Sequence, residues 1–435
     1  MRALAVTIWV FINLIFFGMC GYMYLLWSQY WMYIEKDLYS NSNNYEQQIY
    51  YYNRGFLIND SAQSEVKTRT KHSVKDLQNV TIIKNSRPRF PNLQSEDFVL
   101  DTVKYRCSED ESTNECDNKV KQYKEKILNE LKRVFLDESN VLKHATDQNP
   151  YNVHYQGIKE NHLNKYRNQL VCEFKRIQFT VIRRSDEPFK SNYLRDLIPK
   201  KKFLDNRQYN SCAVVSSAGS LTNSNLGQFI DSHDLVLRFN HAPTVGFEKD
   251  VGSKTTVRIL NSQVVSKSEF KFLEDNLYRN ITLLAWDPSN YTSTLEDWYS
   301  RPEFNVFTNY AAYRRQFPKS KFFLLNPRIL WQLWDFLQSN SPSRLRRNPP
   351  SSGFLGLAAL LPRCEYVNVF EYMPSTRVTK RCHYYDTKDN PACTFGVWHP
   401  LAAEKLLTYS LNIANDTTTF DRGFMTLLGF KRTNC

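Results

Sequence analysis

Residues 212–221 read CAVVSSAGSL, and the fold is decided there and in the stretch that follows to Gln263. The apolar run Cys212–Ser216 stops at Ala218-Gly219-Ser220. A segment of helical character, Asn225 to Ser232, comes next. A second apolar run, Leu235-Val236-Leu237-Arg238-Phe239, then ends on Asn240, and a third, Thr255 to Leu260, ends on Asn261. In open α/β sheets, small polar residues at strand carboxyl ends line a ligand cleft. The spacing alone therefore suggests a Rossmann-like nucleotide site, although the same residue types also end strands as plain turn formers.

Further strand candidates lie on either side, at Phe179–Arg183, Ile281–Trp286, Lys321–Leu325 and Tyr366–Phe370. Helical stretches separate several of them, notably Glu269–Leu277, Ile329–Gln338 and Gly353–Leu361. Strands alternating with helices imply a largely parallel sheet with helices on both faces. Upstream, Ile127, Leu128, Leu131, Val134, Phe135 and Leu142 recur near a 3.6-residue period, as a helix in a stem or one docked on the domain would require. Residues 36–100 are rich in Asn, Ser, Tyr, Gln and Lys and read as a low-complexity stem.

The first residues bound the compartment. No charge occurs from Ala3 to Ser28, and Trp27, Tyr30, Trp31 and Tyr33 resemble an interfacial aromatic belt. A bilayer needs about 20 apolar residues, more than the roughly 7–15 of a cleaved signal peptide. The expected organisation is a cytoplasmic tail over 1–3, a signal-anchor helix over 4–27, a stem over 28–148 and a lumenal domain over 149–435. Five Asn-x-Ser/Thr sequons, at Asn59, Asn79, Asn280, Asn290 and Asn415, suit a lumenal surface. Apart from Cys20 in the expected span, Cys107, Cys116, Cys172, Cys212, Cys364, Cys382, Cys393 and Cys435 form an even set compatible with disulfides. Zinc would call for a C-x-x-C pair or similar spacing, which the chain lacks. The net charge of +13 invites a nucleic-acid reading. Lys and Arg are dispersed, however, and the cluster Arg344-Leu345-Arg346-Arg347 has no interleaved aromatics. No nucleic-acid partner is expected; an acidic small-molecule substrate and a merely solvated basic face fit the charge equally well.

Three later stretches bear chemistry. Asn348-Pro349-Pro350-Ser351-Ser352-Gly353 precedes the apolar run FLGLAALL, a good helix start whose free N–H groups also suit a phosphate. Cys382-His383-Tyr384-Tyr385-Asp386 precedes Cys393 at a spacing that suits a small closed loop. In Gly396-Val397-Trp398-His399-Pro400 the Pro biases His399 to an extended backbone, and an imidazole there can serve as a general base. No Asp-x-Asp pair, P-loop or nucleophile elbow occurs.

Together these stretches closely resemble the animal sialyltransferases (glycosyltransferase family 29). Cys212–Gln263 is similar to their large motif and Pro350–Cys364 to the small one. His383-Tyr384-Tyr385-Asp386 is similar to the third, and His399-Pro400-Leu401-Ala402-Ala403-Glu404 to the very short one. CAVVSSAGSL, LRFNHAPT, WDPSNY and NPPSSG resemble the β-galactoside α-2,6 branch most. The resemblance implies a type II Golgi membrane enzyme with a GT-A-like fold that transfers sialic acid from CMP-sialic acid to the 6-hydroxyl of terminal galactose or GalNAc on glycoproteins, with inversion and without a metal cofactor.

It also implies roles for individual residues. His399 would be the base, and His383 would stabilise the departing CMP. Ser217, Asn240, Asn261, Ser351, Ser352, Gly353 and Thr394 would hold the donor. Tyr151, Trp286, Glu303, Asp386 and Trp398 would meet the acceptor. Glu303, Asp386 and Trp398 stand where Asp, Gln and Tyr are expected, which leaves the acceptor's second sugar open. The implied disulfides are Cys212–Cys364, Cys382–Cys393 and Cys172–Cys435, with no guide for Cys107 and Cys116. Another linkage, or an inactive sugar-binding Golgi protein, are the alternatives.

Overall fold

The computed structural model of the chain describes residues 102–108, 110–144, 149–155, 165–389 and 398–435. The chain divides into Met1–Arg54 and Gly55–Cys435, and every described residue belongs to the second unit. The expected signal anchor, most of the expected stem, Asn59, Asn79, Cys393 and Thr394 lie outside the described residues.

Short apolar runs bounded by polar turns become the strands of one seven-stranded sheet. These are β1 (Tyr209–Val215), β2 (Leu235–Phe239), β3 (Val257–Asn261), β4 (Thr282–Trp286), β5 (Lys321–Leu324), β6 (Cys364–Phe370) and β7 (Phe424–Leu428). Their order is β5-β4-β3-β2-β1-β6-β7, parallel throughout except for β7, which runs antiparallel to β6. The described helices are α1 (Thr113–His144), α2 (Arg167–Arg176), α3 (Gly227–Asp231), α4 (Glu248–Val251), α5 (Ser262–Ser266), α6 (Leu295–Ser300), α7 (Val306–Gln316), α8 (Arg328–Ser339), α9 (Ser352–Leu360) and α10 (Leu401–Leu411).

Strands buried on both faces lose the polar alternation of a half-exposed sheet, and β2 is buried at all five positions. On one face Ala213, Val215, Val236 and Phe370 pack against Leu226 and Ile230. By pleat and register, Leu260, Leu283, Ala285, Phe322 and Leu324 belong to the same face, where they meet Trp298, Phe307, Tyr310 and Tyr313. The opposite face is covered by α9. A side chain at Gly356 would come within 3.2 Å of both Leu237 and Phe239, so glycine lets this helix lie close to β2. Phe354 of α9 stacks on Phe174 of α2, which in turn stacks on Phe336 of α8.

Several segments differ from the sequence expectation. Phe179–Arg183 forms only a single bridge, Val181 to Leu325, because a turn begins at once when Asp186 accepts from the Arg183 N–H. Glu269–Leu277 is two short 3-10 turns rather than a helix; Lys271 adopts a left-handed conformation and Asp275 caps the second turn. β7 was not anticipated. Its five residues follow Gly423 without polar alternation and form a strand only because the β6 edge accepts them.

The periodic segment upstream is a docked helix. Val120, Tyr123, Ile127, Leu128, Leu131 and Phe135 of α1 are buried. The Tyr123 hydroxyl donates to the Ser375 carbonyl at 2.6 Å, and Lys124 pairs with Asp416 at 2.8 Å.

Among pairs of described residues, three disulfides pin the fold. Cys212–Cys364 joins β1 to its neighbour β6, Cys172–Cys435 ties α2 to the chain end, and Cys107–Cys116 closes a nine-residue separation before and within α1. Closing a long loop removes freedom mainly from the unfolded chain. The double replacement Cys212→Ala, Cys364→Ala is therefore expected to lower stability by about 2–5 kcal/mol. Urea unfolding of the two proteins measures this, and coincident midpoints would refute it.

Candidate active site

From β1 the chain steps outward strand by strand to β5 and then returns to place β6 on the other side of β1. This reversal leaves a crevice at the carboxyl ends of β1 and β6, the usual ligand position in such sheets. Ser216, just past β1, donates its hydroxyl to the Glu371 carbonyl at 3.1 Å. The Glu371 carboxylate is buried and accepts from Ser220 (2.8 Å), Ser375 (2.7 Å) and Arg377 (2.6 Å). The segment after β1 pairs with the third candidate stretch: the Tyr384 N–H donates to the Ser217 carbonyl and the Gly219 N–H to the Cys382 carbonyl. A side chain on Gly219 would lie 2.4 Å from the Arg381 carbonyl, so only glycine permits this approach.

Asn240 and Asn261 end adjacent strands and form one unit. Asn240 has a left-handed backbone, φ 48°, which Asn tolerates better than most residues. Its Oδ1 accepts from the Asn261 N–H at 3.0 Å. Buried Arg258 fixes the turn by donating to the Asn240 and Ala242 carbonyls at 2.8 and 3.0 Å. Asn261 caps α5 by accepting from the Val264 N–H.

The start of α9 is built around a buried glutamate from α10. Ser351 is the N-cap, accepting from the Phe354 N–H. It also donates its own N–H and hydroxyl to Glu404 at 2.8 and 2.5 Å, and the Tyr372 hydroxyl reaches the same carboxylate at 2.8 Å. Burial raises the Glu404 pKa while these donors oppose the shift. The next residue, Ser352, accepts from the Trp286 indole at 2.9 Å. A side chain on Gly353 would press on the Tyr372 ring at 2.6 Å. The donor candidates Ser351, Ser352 and Gly353 therefore share one rigid helix end with the acceptor candidate Trp286.

His399 sits beside this helix end. Its Nδ1 lies 2.7 Å from the Pro349 carbonyl, which can only accept, so the neutral ring carries its proton on Nδ1 and keeps a lone pair on Nε2. Burial of the ring pushes the pKa down to about 4, with the Pro349 bond opposing that shift. The Trp398 and Trp286 rings flank the imidazole at 4.4 and 6.4 Å between centroids. Tyr151 continues the aromatic wall, 6.4 Å from Trp398, and donates to Glu303 at 2.6 Å. Asp287, immediately after β4, is buried with its pKa raised to about 6 by burial. It anchors the Glu303 loop by accepting from the Glu303 and Phe304 N–H groups and the Trp298 indole. Tyr151, Glu303, Asn290 and Arg301 line an adjoining cavity of about 280 Å³.

His383 and Asp386 form a separate pair on the other side of the crevice. The His383 ring and N–H both contact one Asp386 carboxylate oxygen, at 2.9 and 3.0 Å, and the ring stacks on Tyr385. Among the described contacts Asp386 meets His383 and not the Tyr151–Trp398 wall. Cys382, His383 and Asp386 converge closely enough to suggest a metal site, yet the Cys382 sulfur is in a disulfide and offers no thiolate. The sequons Asn280, Asn290 and Asn415 are exposed. The sequence reading missed Glu371, Tyr372, Asp287 and the role of Glu404. A glutamate inside the apolar run LAAEKLL was the one available signal.

Comparison with known proteins gives the family. The glycosyltransferase family 29 (sialyltransferase) model matches residues 153–415. Beta-galactoside alpha-2,6-sialyltransferase 2 of Danio rerio is 42% identical over 297 residues, covering 68% of this chain and 57% of the relative. The Homo sapiens protein of the same name is also 42% identical over 297 residues, covering 68% and 56%. The chain thus spans little more than half the length of the curated relatives it matches. A solved structure, described as a mammalian sialyltransferase, aligns over 67% of this chain and 93% of its own at 20% identity and a TM-score of 0.35. On the extent of the family match, the chain belongs to glycosyltransferase family 29, the sialyltransferases.

Proposed function

We propose that this protein is a β-galactoside α-2,6-sialyltransferase that takes sialic acid from CMP-sialic acid, with a GT-A-like variant of the α/β fold. The observation that carries the reading is His399: a neutral imidazole fixed by Pro349, with Nε2 unprotonated, beside the N-terminal end of α9. The names of the relatives support the acceptor class and linkage.

In this reading His399 Nε2 accepts the proton of the acceptor's 6-hydroxyl as that oxygen attacks the anomeric carbon of the donor. The bond from that carbon to the CMP phosphate breaks on the opposite face, so the product is inverted and no enzyme nucleophile is needed. The transition state carries oxocarbenium character. Charge builds on the phosphate, and in this reading the Ser352 and Gly353 N–H groups and the Ser352 hydroxyl at the α9 start, together with His383, meet it. Asn240, Asn261 and Ser217 hold the nucleotide side, as does Thr394 from outside the described residues. Trp286, Trp398 and Tyr151 offer flat apolar surfaces to the sugar, while Glu303 offers an acceptor for its hydroxyls. Asp386 orients the His383 ring, and so acts on the phosphate side in this reading. CMP is a good leaving group, so the reaction is expected to run without a metal cofactor.

The same reading places the enzyme in the Golgi membrane as a single-pass type II protein, tail 1–3, anchor 4–27, stem 28–148 and catalytic domain 149–435, with α1 at the end of the stem stretch docked on that domain. Among the described residues no helix is long and apolar enough to cross a membrane. The three described disulfides fit an oxidising lumen.

The full-length protein is to be incubated with CMP-sialic acid and EDTA, using Galβ1,4GlcNAc or GalNAcβ1,4GlcNAc as acceptor, with the product linkage read by NMR. An α-2,6 product is expected; an α-2,3 product, or loss of turnover in EDTA, overturns the corresponding part of the reading. His399→Ala is expected to abolish transfer while CMP binding persists, and normal turnover in that variant would remove the base assignment. Because only the neutral ring is a base and its pKa is lowered to about 4, kcat/KM should hold as pH falls past 6.5, the ring's ordinary value, and drop only near 4. That profile reports the free enzyme, and an acid limb at the ordinary histidine value would contradict it. Glu404→Gln removes a charged acceptor of several hydrogen bonds and is expected to cost about 1.5–3 kcal/mol of stability. An unchanged urea midpoint would show that the carboxylate does not organise the α9 start.

A further inference from the structure

The described residues also line a large cleft, of about 1300 Å³, that shares no lining residue with the crevice around Ser216, Asn240, Ser351 and His399. Its walls come from the end of α2, the segment between α2 and β1, the α9–β6 turn and the turn after β7. It meets α9 at Ala359, roughly 10 Å along the helix from Ser352 at 1.5 Å per residue. Ten Lys and Arg residues line it, against the single acid Asp196. Arg183, Arg184 and Lys190 have acidic partners nearby. Lys175, Arg195, the run Lys200-Lys201-Lys202, Arg363 and Lys431 make no ion pair among the described residues. The floor is aromatic: Phe203 contacts Phe179 at 5.9 Å and Phe323 at 5.5 Å between ring centroids, and all three line the cleft.

Like charges gathered in one concave surface repel each other and focus a positive potential that an anion relieves. A flat anionic membrane meets a convex patch more readily than a recess with an aromatic floor. Sugar rings carry apolar C–H faces that pack on aromatic rings, and an acidic sugar adds the charge that the rim lacks. The chain's own stem does not supply that charge, since residues 36–100 hold nine Lys and Arg against seven Asp and Glu. The disulfides fit an oxidising compartment.

We propose that this basic, aromatic-floored cleft binds an acidic glycan chain at a site separate from the catalytic crevice. Two sources share the chemistry, a sulfated polysaccharide and the sialylated antenna of a glycoprotein. The proposal does not depend on the transferase reading, because its test reads binding alone.

The test uses the full-length protein in detergent with saturating CMP and two labelled probes, a heparin-derived hexasaccharide and a disialylated biantennary N-glycan. Binding is compared with a variant carrying Lys200→Glu, Lys201→Glu and Lys202→Glu, all exposed positions. A control variant carries Lys121→Glu, Lys249→Glu and Lys319→Glu, also exposed. At least one probe is expected to bind, at least tenfold more weakly to the cleft variant and unchanged in the control. Binding of the hexasaccharide alone identifies the sulfated source, and of the sialylated glycan alone the antenna. Binding of neither probe, equal weakening in both variants, or binding only to vesicles containing anionic lipid overturns the proposal.

Discussion

The Glu404 carboxylate is the interaction on which the site depends. It lies in the interior and accepts from the Ser351 backbone, the Ser351 hydroxyl and the Tyr372 hydroxyl. One group thereby joins α10, the start of α9 and the segment after β6. A buried carboxylate is costly unless its hydrogen-bonding capacity is met. The three elements therefore have to come together in one geometry or leave an uncompensated charge. His399 precedes α10 by two residues and is tied to Pro349, two residues before Ser351. His399 and the α9 start are thus held by two short links across the same pair of segments.

The second buried carboxylate, Glu371, does the same work at the crevice between β1 and β6. It gathers Ser220, Ser375 and Arg377, and Tyr123 of α1 supports the Ser375 carbonyl from outside. The helix that precedes the sheet in sequence thereby props a loop that follows β6. Cys212–Cys364 adds a covalent link between the same two strands. Site and scaffold are not separable here: the polar groups that shape the crevice are the ones that close the sheet around it.

Much of the fold was legible in order. The runs at 212–216, 235–239 and 281–286 became strands because they are apolar, short and bounded by turn residues. Ser351 became an N-cap because a hydroxyl before an apolar helix satisfies free N–H groups. The reading failed where a segment has no pattern of its own. Phe424–Leu428 takes its conformation from the β6 edge, and 269–277 has apolar residues at helical spacing but breaks at Lys271. The motif residues Ser351, Ser352, Trp286, Trp398, His399, Tyr151 and Glu303 were named singly, and the tertiary structure joins them. Asp386 went to His383 instead, a pairing that three-residue spacing permits but does not require.

The sequence by itself determined the α/β class, the family motifs and the residue types available for chemistry, because hydrophobic period and turn chemistry are local properties. Only the tertiary structure decided how long-range groups meet. It put Glu404 under Ser351 and Pro349 on His399 Nδ1, a bond that together with burial sets which nitrogen is free and how weak a base it is. It also gathered lysines and arginines that look dispersed along the chain into one cleft. Charge, burial and hydrogen-bond satisfaction depend on neighbours distant in sequence, and no reading of local pattern contains them.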